Sequence, residues 1–141
     1  MTSRDLRQLP PIRTLADLEA AWRLLIEPLG FGTRQIFAIM LGCDGLVLPS
    51  VINLTDCPVA PDGSMLVALA RSLRSSLDEV DPEGSWAVLW ARPSNAGTRT
   101  TDLAWIRAIN AAMSMQSLAN WPIHRADDSV LQVMSPDDLA A

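Results

Sequence analysis

The chain is 141 residues long with a formal net charge of −5, enough for one domain with its own core and too short for a second catalytic module. Its hydrophobic fraction of 49% and mean hydropathy of +0.18 exclude a disordered chain, and no apolar run approaches the ~20 residues of a membrane-spanning helix. The sequence pI is near 4.6, and its 11 basic residues, all arginine, are scattered, which excludes nucleic-acid binding through a basic stripe.

Residues 1–13 are polar, contain Pro10-Pro11 and read as an extended tail. They hold no apolar stretch of signal-peptide length, so the cytoplasm is the expected compartment. Thr14 and Asp17 then form a helix start. Leu15, Leu18, Trp22, Leu25 and Ile26 follow at helical spacing up to Glu27, where Pro28 stops the helix. Two short apolar runs, residues 35–41 and 46–54, meet through Asp44-Gly45 as a strand hairpin; Pro49 marks the second as an edge strand or a bulge. After a loop rich in turn formers, Met65, Leu66, Leu69, Leu73 and Leu77 make one face of a second helix. Acidic residues oppose the dipole at a helix C-terminus, so the stretch from Asp78 to Gly84 is expected as a solvated turn.

Residues 85–91, Ser-Trp-Ala-Val-Leu-Trp-Ala, have the unbroken apolar character of a central strand buried on both faces. A polar loop leads to Thr100 or Thr101 as the expected cap of a third helix, which carries Leu103, Trp105, Ile106, Ile109 and Met113. Two short strands, 122–125 and 130–134, close the chain through Asp127-Asp128. The order helix, hairpin, helix, strand, helix, hairpin predicts a single α/β domain over 14–141, with a mixed sheet flanked by helices.

Cys43 and Cys57 are 14 apart with no Cys-x-x-Cys, and His124 is the lone histidine, so thiols and imidazole alone cannot assemble a zinc cage. Both cysteines read as small buried apolar residues, with a disulfide or redox pair as the second reading. Without lysine there is no amine for Schiff-base chemistry and no lysine general base. Serine-hydrolase elbows, phosphate-binding loops and dinucleotide fingerprints are all missing from the sequence.

From residue 34 to residue 140, the element order and the stretch Trp90-Ala91-Arg92-Pro93-Ser94, followed by Gly97, Thr98 and Asp102, resemble the RadC-like branch of the JAB/MPN family. The closing hairpin with His124 and Asp127-Asp128 is similar too. The resemblance implies the JAB/MPN fold, an arrangement related to that of cytidine deaminases. In that family the strand ends in His-x-His-Pro-Ser-Gly, the two histidines and a helix-opening aspartate bind zinc, and a glutamate from an earlier element acts on the metal-bound water. Here Trp90 and Arg92 stand where the histidines would be. Tryptophan offers no ring-nitrogen lone pair and arginine is a permanent cation. Asp102 lies ten residues after Arg92, one short of the family pattern, and no glutamate occurs between Glu27 and Glu79.

The resemblance therefore implies a degenerate pocket, formed by Trp90, Arg92, Ser94 and Asp102, that holds no metal and needs no cofactor. Asp102 is expected to pair with Arg92, because a cation in the former ligand position requires a counter-charge. His124 is expected to be structural or solvent-facing. The five Trp and six Met suggest a contact surface, with Trp22, Trp105, Ile109 and Met113 as candidates. The leading expectation is a non-catalytic interaction or regulatory module, a homodimer or the partner of another protein, and not a nucleic-acid or membrane binder. Two alternatives remain: a metal-dependent hydrolase rebuilt around Asp102, His124 and Asp127 or Asp128, and a small-anion site in the emptied pocket lined by Trp90 and Arg92.

Overall fold

Strand alternation divides the apolar residues of the chain between two faces of one sheet, and each face is covered by helices. The computed structural model describes residues 9–95, 97–119 and 121–140. In chain order the elements are α1 (Leu15–Ile26), β1 (Gln35–Leu41), β2 (Val47–Leu54), α2 (Gly63–Val80), β3 (Ser85–Ala91), α3 (Thr100–Met115), β4 (His124–Ala126), β5 (Leu131–Val133) and α4 (Pro136–Ala140). The sheet runs β2-β1-β3-β4-β5. β1 is antiparallel to β2 and to β3, β3 is parallel to β4 across the α3 connection, and β4 and β5 close as an antiparallel hairpin. The domain is α/β with a mixed sheet.

On one face, Ile36, Ala38, Met40, Trp86, Val88 and Trp90 pack with Leu66, Leu73 and Leu77 of α2 and with Trp105, Ile106 and Ile109 of α3. On the other, Ile39, Leu41, Ala87, Leu89 and Ala126 pack with Leu18, Ala21 and Trp22 of α1. Period-2 burial on both sides of β3 explains why that strand is apolar throughout. The indole of Trp86 ties the strand to α2 by donating to the Leu73 carbonyl at 2.9 Å.

Several expectations change. Trp22, Trp105, Ile109 and Met113 are buried in these two clusters, so none of them offers a contact surface; the large apolar side chains fill a two-sided core. Residues 9–13 are irregular but do not hang free. Leu9 and Ile12 are buried with the α1-side cluster, and the Ile12 amide donates to the Gly45 carbonyl at 2.8 Å. The rest of the expected tail, 1–8, lies outside the described residues.

Helix α2 runs on through Asp78 and Glu79. The Arg74 guanidinium meets Asp78 one turn later at 2.6 Å, which offsets the unfavourable acid–dipole contact. Its C-cap Asp81 turns back to accept from the amides of Cys43 and Glu83. Cys43 is exposed, not buried, and both cysteines are free thiols. β2 is an edge strand containing Pro49, and the β1–β2 register slips between Ile39 and Leu41, so the proline marks both an edge and a bulge.

Candidate functional site

Of the residues expected to form a degenerate pocket, Trp90, Arg92 and Asp102 meet where β3 ends and α3 begins. Trp90 and Arg92 project from alternate positions of β3 and its extension toward α3, and Asp102 sits in the first turn of α3, so the three meet between sheet and helix. Neither Thr100 nor Thr101 caps that helix. Arg99 is the N-cap, and Asp102, three residues on, reaches back to accept from its amide at 2.8 Å.

Asp102 is fully buried, with both carboxylate oxygens committed. Arg92 Nε lies 2.8 Å from Oδ1 and 3.0 Å from Oδ2, Arg92 Nη2 lies 2.9 Å from Oδ2, and the Trp90 indole donates to Oδ1 at 2.9 Å. Arg92, 4% exposed, spends its other donors on the carbonyls of Pro93 and Gly97. Burial pushes the Asp102 carboxyl up, but the Arg92 guanidinium, the Arg99 amide and the Trp90 indole together hold it below the usual carboxylate range. The acid stays ionised with no lone pair free for a metal. Trp90 stacks on Trp105 with ring centroids 4.7 Å apart and planes at 15°, and the Trp105 indole donates to the Val59 carbonyl at 2.9 Å. The space expected from the resemblance to be an emptied pocket is filled by this cluster. Trp90, 1% exposed, cannot line a ligand cavity.

Ser94 lies outside the cluster, on its solvent side. Its amide donates to Asp128 Oδ2 at 2.8 Å, its hydroxyl accepts from Arg99 Nη2 at 3.1 Å, and its backbone adopts φ 83°. Asp128 also accepts from the Phe31 amide, clamping three loops at one corner.

His124 does not join this site. It is level with Leu89 and on the same face as Ala126, so it points toward α1, away from Asp102. It is fully buried, neither ring nitrogen has a partner among the described residues, and burial lowers its pKa from 6.5 to about 4 against a weak opposing pull from Glu19. It is structural, and not solvent-facing. Asp127 is buried against Arg125 at 2.9 Å; burial raises its pKa, but Arg125 and the amides of Ser129 and Val130 prevail and hold it at about 2. Among the described residues, no three His, Cys, Asp or Glu side chains converge to hold a metal ion.

Beside the Arg92–Asp102 pair opens a cleft of about 430 Å³, whose walls include Thr33, Arg34, Asp56, Ser94 and Arg99. The sequence did not single out Arg34, Asp56 or Arg99, because they come from three separate connections and share no local motif. The one hint was the exclusive use of arginine as cation. No protein-family model, curated protein or solved structure matches the chain.

Proposed function

We propose that this chain is a non-catalytic, RadC-like JAB/MPN-type domain acting as a protein-interaction or regulatory module, with a second copy or another protein as its partner. The observation that supports the reading is the saturated Arg92–Asp102–Trp90 cluster, built from the residues that the resemblance matches to the family's zinc-binding motif. The guanidinium supplies the positive charge that a metal ion would otherwise bring to the carboxylate, and it leaves no open coordination position for a water.

The free edge of β2 supports the interaction role. The strand Val47–Leu54 carries no charged side chain, and Val51 and the adjoining Leu46 are 45% and 43% exposed. Edge strands are ordinarily blunted by charge. Here only Pro49 and the bulge interrupt the row of backbone donors and acceptors, so antiparallel pairing with the same strand of a second copy would satisfy the rest. Light-scattering mass across a wide dilution series tests this: the expected result is a shift between two chains and one, abolished by Val51→Lys. A single-chain mass at every concentration contradicts self-association.

A hydrolase rebuilt around Asp102, His124 and Asp127 or Asp128 has less support. Asp102 and Asp127 are each held by an arginine, and His124 faces the other side of the sheet.

A further inference from the structure

The cleft beside the ion pair carries a charge opposite to that of the molecule as a whole. The chain is acidic, at −5, yet Arg34 and Arg99 both line this cleft, as does the already neutralised Arg92. Arg34 is half-buried, and its guanidinium has no hydrogen-bond or acidic partner among the described residues. Arg99 gives one hydrogen bond, to the Ser94 hydroxyl, leaving other donors unused. Both guanidiniums therefore keep donors that an anion from solution can meet.

The hydroxyls differ in what remains to them. Thr33 Oγ1 is occupied, accepting from the Asp56 amide at 3.1 Å and lying 3.4 Å from the Arg34 carbonyl. Ser94 accepts from Arg99, and its proton has no acceptor among the described residues. Two cations and one free hydroxyl donor therefore converge. Gly32 leaves its wall open, since a Cβ there would meet no atom within 4 Å. Asp56 lines the same cleft but forms no ion pair with either arginine among the described residues. Both Ser94 and Asp56 hold left-handed backbones, φ 83° and φ 58°, on loops from different parts of the chain. Strain of this kind persists only where surrounding structure fixes it, and it gathers at binding sites.

We propose that this cleft binds a phosphate group, inorganic or carried by a small monoester, through Arg34, Arg99 and the Ser94 hydroxyl. Guanidinium forks and a hydroxyl present more donors than a carboxylate's two oxygens use well, while a phosphate's oxygens can take them all. The proposal does not rest on the docking reading. The cleft lies at the β3–α3 end of the molecule, and loss of phosphate binding would leave the self-association test unaffected.

Titration of the full chain with inorganic phosphate, against sodium chloride at matched ionic strength, is followed by amide chemical shifts. The expected result is saturable shifts at residues 32–34, 56–57 and 94–99. Arg34→Gln, which breaks no contact in the fold, should weaken binding about tenfold. Asp56→Asn removes the cleft's carboxylate, suits the left-handed backbone and should tighten binding several-fold. A gain of affinity is not the outcome of a merely structural role. Glycerol phosphate should bind at the same residues, whereas acetate should bind several-fold more weakly. Linear, unsaturated shifts, equal affinity in Arg34→Gln, or acetate binding as tightly as phosphate would overturn the proposal.

Discussion

Asp102 and His124 are both buried and polar, and opposite rules govern them. Asp102 is satisfied by three donor residues, so its removal exposes what it was neutralising. Asp102→Ala leaves Arg92 buried without a counter-charge and is expected to cost about 3–5 kcal/mol, read as a lowered melting temperature. Asp78→Ala, at an exposed pair, should move stability within about 0.5 kcal/mol. Replacing both partners, Arg92→Met with Asp102→Leu, should recover only part of the loss: the unpaired charge is gone, but the Trp90 indole and the Arg99 amide still lose their acceptor. An unchanged melting temperature in Asp102→Ala would contradict the burial and pairing described for it.

His124 is neutral in the fold because burial lowers its pKa from 6.5 to about 4. The unfolded chain takes up the proton near 6.5 and the folded chain resists it, so stability is unaffected above that value and falls as pH drops from 6.5 to 4. The full loss is about 3 kcal/mol. Asp127, held at about 2, contributes stability that is present above its ordinary 3.8 and disappears as pH falls through 2, a separate and more acidic window. Denaturant unfolding at stepped pH reads both, and His124→Leu should flatten only the upper one. The Arg92–Asp102 pairing was legible in sequence because the resemblance put both residues at one expected pocket, where a cation needs a counter-charge. The burial of His124 was not, since a three-residue strand carries too little alternation to show which face a side chain takes.

At the scale of elements, the sequence was most informative where periodicity was long. β1 and β3 have the extents read from their apolar runs, and Thr14 caps α1 as expected, with Asp17 doing more than favour the dipole: each accepts from the other's amide. Ends were less legible. The Arg74–Asp78 pair carries α2 past the point where the dipole alone would stop it, and the α3 cap comes from a side chain inside the helix. α4 was missed because its five residues have no room for a period; Ser135 and Asp138 define it by exchanging hydrogen bonds.

The segment 9–13 escaped notice because its anchor is a distant turn. Gly45 adopts φ 85°, and a Cβ there would sit 2.8 Å from the Ile12 carbonyl oxygen. Gly45→Ala is therefore expected to cost about 1–2 kcal/mol and to speed trypsin cleavage after Arg13, read by limited proteolysis. Unchanged cleavage would show that the segment does not lean on this turn.

For the whole molecule, the excess of apolar residues noted in the sequence has a plain cause: helices lie on both faces of the sheet, so β3 and α3 must be apolar on more than one side. What remains exposed is modest and includes the open β2 edge, which is where association is expected. No helix among the described residues is long and apolar enough to cross a membrane. The proposed function turns on the junction of β3 and α3: on that reading the Arg92–Asp102 ion pair takes the place of a metal and closes the site to metal-assisted hydrolysis. Elemental analysis of the purified chain after incubation with zinc and removal of unbound ion tests that claim directly. The expected result is zinc far below one per chain, with a melting temperature unmoved by zinc or by chelator. One zinc per chain, with a melting temperature that falls on chelation, would contradict it.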